Sequence, residues 1–166
     1  MQLSSRKDFN GEITVVEGGS VACSASGKAG GFLALDWCDG TPLEQLARVS
    51  FKMHQEWSQK FKEADYRNLE TFSFELCKKG EEEERVEGFP LFVEAGVKEV
   101  RKMGSKESTA QVDPFKLTQQ LFKVSLNNGV QLHKGTATNI LVSQGKVKGV
   151  EVDGEMMEAD IVVCHN

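Results

Sequence analysis

Apolar residues along the chain follow strand-like spacing in some segments and helix-like spacing in others, with glycine-containing segments between them. The first strand-like segment is Ile13-Thr14-Val15-Val16, a β-branched run that ends at an acid, Glu17. Such a run predicts a strand with a carboxylate at its last position. Two glycines and a small-residue segment, Ala22 to Gly31, come next and predict a loop.

Two segments carry the helical period. Thr41-Pro42-Leu43-Glu44 predicts a capping box that opens a helix continuing to about Ala64. Asp113 and Pro114 predict the start of a second helix, and Gly129 predicts its end. The face of the first helix predicted to be buried comprises Leu43, Leu46, Ala47, Ser50, Met53, His54 and Trp57. The corresponding face of the second helix comprises Phe115, Leu117, Thr118, Leu121, Phe122 and Ser125.

Strand-like alternation returns in the middle of the chain and near its end. Tyr66 to Leu76 predicts one strand, and Met103 to Lys106 predicts a loop. Gln144-Gly145 and Asp153-Gly154 predict turns. The charged run Lys78 to Glu87 predicts a solvated loop, because four successive glutamates cannot converge on one metal ion. Further strands are predicted at Val130 to His133, Thr138 to Ser143, Lys146 to Val152 and Ile161 to Cys164.

Glu17 is the first candidate binding residue. In nucleotide-binding α/β units, a carboxylate at the C-terminal edge of the parallel sheet accepts hydrogen bonds from ribose hydroxyls. The small residues from Ser24 to Gly31 would let a backbone approach a flat or phosphorylated ligand. A Walker loop is excluded, because Gly27-Lys28 is followed by Ala29 instead of Ser or Thr. A strand followed by a glycine-rich turn also occurs in many other α/β proteins, so the pattern alone leaves both interpretations open.

The stretch VVEGGSVACSASGKAGGFLALDW resembles the second strand and following loop of FAD-dependent oxidoreductases of the D-amino-acid oxidase and glycine–sarcosine oxidase type. The segment AQVDPFKLTQQLFKVSLNNGVQLHKGTATNI resembles the helix that leads back into their FAD domain. The resemblance implies that Glu17 binds the adenosine ribose and that the loop from Ser26 to Gly31 lies along the FAD. The implied cofactor-binding residues are Glu17, Gly18, Ser26, Gly27, Lys28, Ala29, Gly30, Gly31 and, through backbone contacts toward the adenine, Thr138.

The implied fold is α/β: a partial FAD-binding Rossmann-like domain together with part of an antiparallel-sheet substrate domain. Residues 1–64 and 109–166 are predicted to form the FAD-binding part, and residues 65–108 the substrate or cap part. The fold places a G-x-G-x-x-G motif about 20 residues before the ribose-binding acid. Only 16 residues precede Glu17, and Gly11 is their one glycine. We therefore expect a form truncated at both ends that lacks the first strand and the Gly-rich motif.

The resemblance implies flavin chemistry, in which the cofactor takes a hydride from a carbon next to an amine. The first hypothesis is a fragment or isoform of an FAD-dependent oxidoreductase that is weak or inactive alone, with an amine or amino-acid substrate in the full-length form. The second is a non-catalytic interaction or regulatory protein that binds a protein partner through a partial oxidoreductase scaffold. A third, an unrelated α+β binding domain, requires Gly27 to Gly31 to lie away from any pocket. No residue is assigned a catalytic or metal-binding role.

Composition and charge exclude several classes of partner and cellular location. The 166-residue chain has a formal net charge of −5 and a pI near 5.3, which argues against nucleic acid and anionic membrane surfaces as partners. There is no apolar run near the roughly 20 residues of a membrane span and no secretory signal pattern, so we expect a cytoplasmic location. The four cysteines lack C-x-x-C spacing and predict free thiols. Cys23 and His54 are expected to be packed residues, not a nucleophile and a base.

Overall fold

A computed structural model describes residues 3–78, 80–82 and 96–164 of the chain. Within these ranges the protein forms a mixed α/β fold, with 3₁₀ turns at Leu3–Ser5 and Lys62–Ala64. The helices are α1 (Ala25–Lys28), α2 (Glu44–Lys60) and α3 (Pro114–Asn127). The strands are β1 (Thr14–Glu17), β2 (Phe32–Ala34), β3 (Arg67–Asn68), β4 (Thr71–Leu76), β5 (Val97–Gly104), β6 (Thr109–Gln111), β7 (Gln131–Lys134), β8 (Ala137–Ser143), β9 (Lys146–Val152) and β10 (Glu155–Glu158).

The described strands form four small sheets. β1 pairs in parallel with β7, and the register sets Glu17 opposite Lys134. β8, β9 and β10 form an antiparallel meander. β6 lies between β2 and β3, and β4 pairs with β5, both in antiparallel arrangements. The predicted α/β class, with parallel and antiparallel sheets together, is confirmed.

The chain divides into two compact units. The first unit comprises Met1–Ala29 and Pro114–Asn166, and the second comprises Gly30–Asp113. These units divide the chain near Gly30 and Pro114, whereas the predicted domains divide it after residues 64 and 108. The assignment of residues 1–64 and 109–166 to FAD binding, and of residues 65–108 to substrate binding, stays a prediction.

The core of the first unit is built around α3 and the strands that follow it. Leu117 and Ser125 of α3 are buried, as are Val130 and Val152. The Ser125 hydroxyl donates to the backbone oxygen of Leu121 at 2.9 Å, so this buried polar group is satisfied within its own helix. Gly129, with φ of +86°, ends α3 and turns the chain into β7.

The core of the second unit centres on β6. Thr109 and Ala110 are fully buried, and Phe51 is the buried residue of α2. The Thr109 hydroxyl lies 2.7 Å from the backbone oxygen of Leu69 and 3.0 Å from that of Ser105. It therefore joins the segment before β4 to the turn before β6 without leaving a buried polar atom unpaired.

Several predicted elements are confirmed with small shifts. β1, α3, β7, β8 and β9 occupy the predicted segments, and Glu17 is the last residue of β1. The two predicted turns also form: Gln144 and Gly145 have φ of +50° and +73°, and Asp153 and Gly154 have φ of +48° and +87°. Positive φ at both central positions is the requirement of a type I′ hairpin turn, which Asp-Gly and Gln-Gly sequences satisfy through their glycine.

The prediction for the first long helix is wrong in its ends and partly in its buried face. α2 begins at Glu44 because the Thr41 hydroxyl accepts from the Leu43 N–H at 3.2 Å, while the Glu44 carboxylate accepts from the Gly40 N–H at 2.9 Å. These bonds hold a turn before the helix instead of the expected capping box. Leu43 and Leu46 are 57% and 67% exposed, and the buried position is Phe51.

Three strand and loop predictions need correction. Tyr66 to Leu76 forms two strands, β3 and β4, which pair with different partners. Met103 and Gly104 belong to β5 instead of a loop. Ile161 to Cys164 forms no strand, whereas the Asp153-Gly154 turn leads into a strand that was not predicted, β10, which pairs with β9. Part of the run Lys78 to Glu87 lies outside the described residues.

Candidate functional site

The carboxyl end of β1 is the centre of the candidate site. Glu17 is partly buried there, and its Oε1 accepts a hydrogen bond from the Gly19 N–H at 2.7 Å. This bond fixes the direction of the carboxylate at the edge of the parallel pair. A carboxylate so placed can accept hydrogen bonds from a diol, which is the role predicted for Glu17.

The segment after β7 forms one side of the site. The Gly135 N–H donates to the Glu17 backbone oxygen at 3.3 Å, and the Lys134 ammonium donates to the Gly19 backbone oxygen. The Thr136 N–H donates to the Asp153 carboxylate at 3.0 Å. Parallel strands end at the same sheet edge, so β7 delivers these residues beside Glu17 although they are distant in sequence.

Gly135, and not Gly18, is the glycine that the close approach of the two strand ends requires. A Cβ at Gly18 would lie 3.4 Å from the Thr136 hydroxyl oxygen, whereas a Cβ at Gly135 would lie 2.6 Å from both the Asp153 carboxylate and the Val152 side chain. Gly135 therefore has no room for a side chain, while Gly18 keeps ordinary contact distance. The shape of the site depends on Gly135, a residue that the sequence patterns did not select.

The predicted loop contains one helical turn, which corrects the expectation of a purely irregular segment. α1 carries Ser26, Gly27 and Lys28, and Ala29 follows it in extended conformation. A Cβ at Gly27 would lie 2.0 Å from the Ala22 backbone oxygen. Gly27 is therefore required by the close approach of Ala22, which itself has φ of +65°.

α3 holds this loop from the other side. The Gln119 side-chain amide donates to the Val21 backbone oxygen at 2.7 Å, and the Thr118 hydroxyl donates to the Ser26 backbone oxygen at 3.4 Å. These bonds leave the Ser26 side chain exposed on α1. Residues 17–28 are thus braced by α3 and by the segment that follows β7.

The other predicted residues lie elsewhere in the two units. Lys28 is exposed at the last position of α1. Gly30 and Gly31 belong to the second unit, where their backbone oxygens accept from the Gln111 side chain at 3.2 Å and the Val112 N–H at 2.9 Å. Thr138 lies at a register shift in β8, where its hydroxyl donates to the Glu151 backbone oxygen at 3.4 Å. The cofactor roles of all nine residues stay predictions.

The expectations for cysteine and histidine have mixed outcomes. All four cysteines are free thiols, and Cys23 is exposed, which corrects the expectation that it is buried. His54 is partly buried, and its Nδ1 lies 2.8 Å from the Ser50 backbone oxygen, as expected of a packed and hydrogen-bonded residue. Within residues 3–78, 80–82 and 96–164, no helix has the length and apolar character needed to cross a membrane.

Sequence reasoning missed Gly19, Gln119, Lys134 and Thr136. Gly19 could have been predicted from its position, because the backbone N–H two residues beyond a strand-end carboxylate is within reach of that carboxylate. Lys134 could be found only by pairing Ile13–Glu17 with Val130–His133 in parallel, which would set the two strand ends side by side. Nothing in the periodicity marks Gln119, which lies on α3 beside the predicted apolar face.

Solved structures with the same fold are known. The structure is similar to an L-amino acid deaminase from Proteus myxofaciens, with a TM-score of 0.64, 16% identity and coverage of 90% of this chain and 38% of that one. It is also similar to a glycine oxidase from Bacillus cereus, with a TM-score of 0.66, 18% identity and coverage of 90% of this chain and 48% of that one. These two likenesses identify the fold of the chain.

Sequence comparison gives the family. A Schizosaccharomyces pombe protein named as an oxidoreductase is 30% identical over 146 residues, which cover 83% of this chain and 38% of that protein. The chain therefore spans less than half the length of the curated relative it matches. The profile of the FAD dependent oxidoreductase (DAO) family matches residues 1–166. The chain belongs to the DAO family of FAD-dependent oxidoreductases.

Proposed function

We propose that the first unit supplies the adenosine-ribose part of an FAD site. The observation that carries this proposal is the Glu17 carboxylate, held by the Gly19 N–H at 2.7 Å at the carboxyl end of a parallel strand pair. Carboxylates at this edge accept hydrogen bonds from ribose hydroxyls in dinucleotide-binding folds. Glu17 would accept from the diol, and Gly18 would leave room for the sugar.

The residues around Glu17 would act by positioning it. Lys134 donates to the Gly19 backbone oxygen and so holds the peptide whose neighbouring N–H binds the carboxylate. Gln119 and Thr118 brace the loop that contains the predicted contacts Ser26 and Gly27. Lys28 and Ala29 follow, and Lys28 offers the loop's one positive charge to a phosphate. When bound, FAD would supply the ring that accepts a hydride from a carbon next to an amine.

An FAD titration of the purified chain, followed by flavin fluorescence, tests this proposal. Glu17→Gln removes the charge that favours hydrogen bonds from the diol, so we expect affinity to fall about tenfold. Glu12→Gln is the matched control, because it removes the same charge from an exposed residue before β1 and should leave affinity unchanged. Equal affinity in wild type and Glu17→Gln, or no saturable binding, would contradict the proposal.

The proposed reaction class is oxidation of an amine or amino acid by the flavin, with the present chain acting as a fragment or isoform of little or no activity alone. The absence of a G-x-G-x-x-G motif from this sequence supports weak FAD retention, because that motif's backbone N–H groups hold the pyrophosphate. Turnover of glycine or a D-amino acid by the purified chain with added FAD, measured as peroxide release, would contradict the inactivity. The free thiols support a reducing, cytoplasmic location.

The alternative function is a non-catalytic interaction or regulatory role. Two exposed apolar side chains on one face of β8 favour it: Ile140 is 40% exposed and Val142 is 60% exposed. Contiguous exposed apolar surface is typical of protein-binding sites. Loss of a co-purifying protein on Val142→Lys, with unchanged FAD binding, would favour this role over the oxidoreductase role.

A further inference from the structure

A groove in the second unit has features of a ligand site outside the predicted FAD contacts. Its volume is about 470 Å³, and it lies where the end of α2 meets the 3₁₀ turn and β3. Six polar side chains line it: Gln55, Ser58, Gln59, Lys62, Tyr66 and Asn68. Pockets that bind small molecules fall in this range of volume.

The phenol of Tyr66 is the unusual group in this groove. Its oxygen is buried and makes no hydrogen bond with any residue in the described part of the chain. Burial raises the pKa of Tyr66, while the neighbouring Gln55 side chain, outside hydrogen-bond geometry, partly lowers it. Buried hydroxyl groups in native proteins normally have a partner. A ligand oxygen would supply one once a neighbouring side chain of the groove moves aside, because the phenol oxygen itself is closed to solvent.

Most of the other lining groups are held in place by contacts of their own. The Lys62 ammonium donates to the Gln59 side-chain oxygen at 3.2 Å, and the Ser58 hydroxyl donates to the Gln55 backbone oxygen at 2.7 Å. The Asn68 amide donates to the Lys106 backbone oxygen. An ammonium group has three protons to donate, so Lys62 retains the capacity to bind a ligand while Gln59 orients it.

Charge selects the class of ligand. Lys62 is the one charged residue among the six, and none of the six carries a carboxylate. The carbonyl groups at the C-terminal end of α2 have the opposite effect on an anion, so binding is weak, on the order of 1 mM. We propose that the groove binds a small organic anion, whose carboxylate or phosphate oxygen accepts hydrogen bonds from Lys62 and Tyr66.

NMR titration of the ¹⁵N-labelled chain at constant ionic strength tests this site. The probes are benzoate, inorganic phosphate and, as a neutral control, glucose. Saturable shifts confined to residues 55–68 with benzoate identify a carboxylate site, and the same shifts with phosphate identify a phosphate site. Absence of saturable shifts with both anions, or equal shifts with glucose, would overturn the proposal.

Three variants locate the contacts. Lys62→Gln should weaken anion binding about tenfold, and Tyr66→Phe about threefold, since a charged donor contributes more than a neutral one. Lys60→Gln removes the same charge from a residue that does not line the groove, so its affinity should equal that of wild type. Tyr66→Phe should keep or raise Tm, because it removes an unpaired buried hydroxyl. Unchanged affinity in both Lys62→Gln and Tyr66→Phe would contradict the proposed anion site.

Discussion

The candidate site of the first unit and the core of the second unit place their polar contacts in opposite settings. In the first unit, the bonds that join Glu17, Gly19 and Lys134 lie at partly or fully exposed strand ends. In the second unit, Thr109 is fully buried and bonds with Leu69 and Ser105. Water can replace partners at an exposed strand end, whereas a buried hydroxyl must be satisfied by the protein. Thr109 therefore contributes to stability, whereas the polar groups around Glu17 are available for a ligand.

If polar contacts contribute little to the stability of the first unit, its most sensitive point should be a steric one. Gly27→Ala should have the largest effect, because the new Cβ would lie 2.0 Å from the Ala22 backbone oxygen. We expect a loss of ~3 kcal/mol in the free energy of unfolding, measured by urea denaturation. Gly30→Ala is the control, since its Cβ meets nothing within 4 Å. Equal stability of the two variants would contradict the close approach.

Thr109→Val tests how much the buried hydroxyl of the second unit contributes to stability. The substitution keeps the shape of the side chain but removes the hydroxyl that bonds Leu69 or Ser105 and accepts from Thr71 at 3.2 Å. We expect a loss of ~2 kcal/mol in thermal or urea unfolding. The exposed residue Thr14 gives the matched change, Thr14→Val, with an effect below ~0.5 kcal/mol. If Thr109→Val left the free energy of unfolding unchanged, the buried hydroxyl would contribute no more to stability than an exposed one.

The smallest effect should come from an exposed ionic contact in the second unit. The pKa of Glu81 is lowered first by the Lys78 N–H, which donates at 2.7 Å, and then by Lys98, whose ammonium lies 3.0 Å away. A depressed carboxylate pKa stabilises the fold above the unfolded-state pKa, and this contribution is lost as the pH falls through the folded-state pKa.

Lys98→Met should therefore raise the pKa of Glu81, measured by ¹³C NMR of its carboxyl group, and leave stability near neutral pH almost unchanged. Lys102→Met is the control, because Lys102 pairs with Glu70. A large loss of stability in Lys98→Met would show that exposed ion pairs contribute substantially to the stability of the second unit.

The sequence predicts best where one or two residues determine the backbone. Asp153-Gly154 specifies a hairpin turn because glycine readily adopts the positive φ that the turn requires. Asp113 and Pro114 likewise specify the start of α3. Such local requirements act before any tertiary contact forms, so the elements they define lie where they are predicted.

Helix periodicity was less informative about burial. Leu43 and Leu46 follow the apolar period predicted for the first long helix yet are largely exposed, while Phe51 is buried. Periodicity identifies which residues share a helix face, but the packing partners decide which face is covered. Those partners come from distant segments and carry no mark in the helix sequence.

The candidate site shows the same limit. Glu17 could be predicted from its own strand, because it is the acid that ends a β-branched run. Lys134 and Thr136 reach it through the register of β1 with β7, and sequence alone does not reveal which strands pair. The bond from Gln119 to Val21 also depends on tertiary placement.

The parallel pairing of β1 with β7 has a consequence for the order in which the chain folds. The first unit is discontinuous, whereas the second unit, Gly30–Asp113, is a single continuous segment inserted between its two parts. During synthesis the second unit can fold while β7 is still within the ribosome. Its folding shortens the free loop between β1 and β7 and lowers the entropy cost of closing it. The strand edge that carries Glu17 is therefore expected to form late, after the inserted segment has folded.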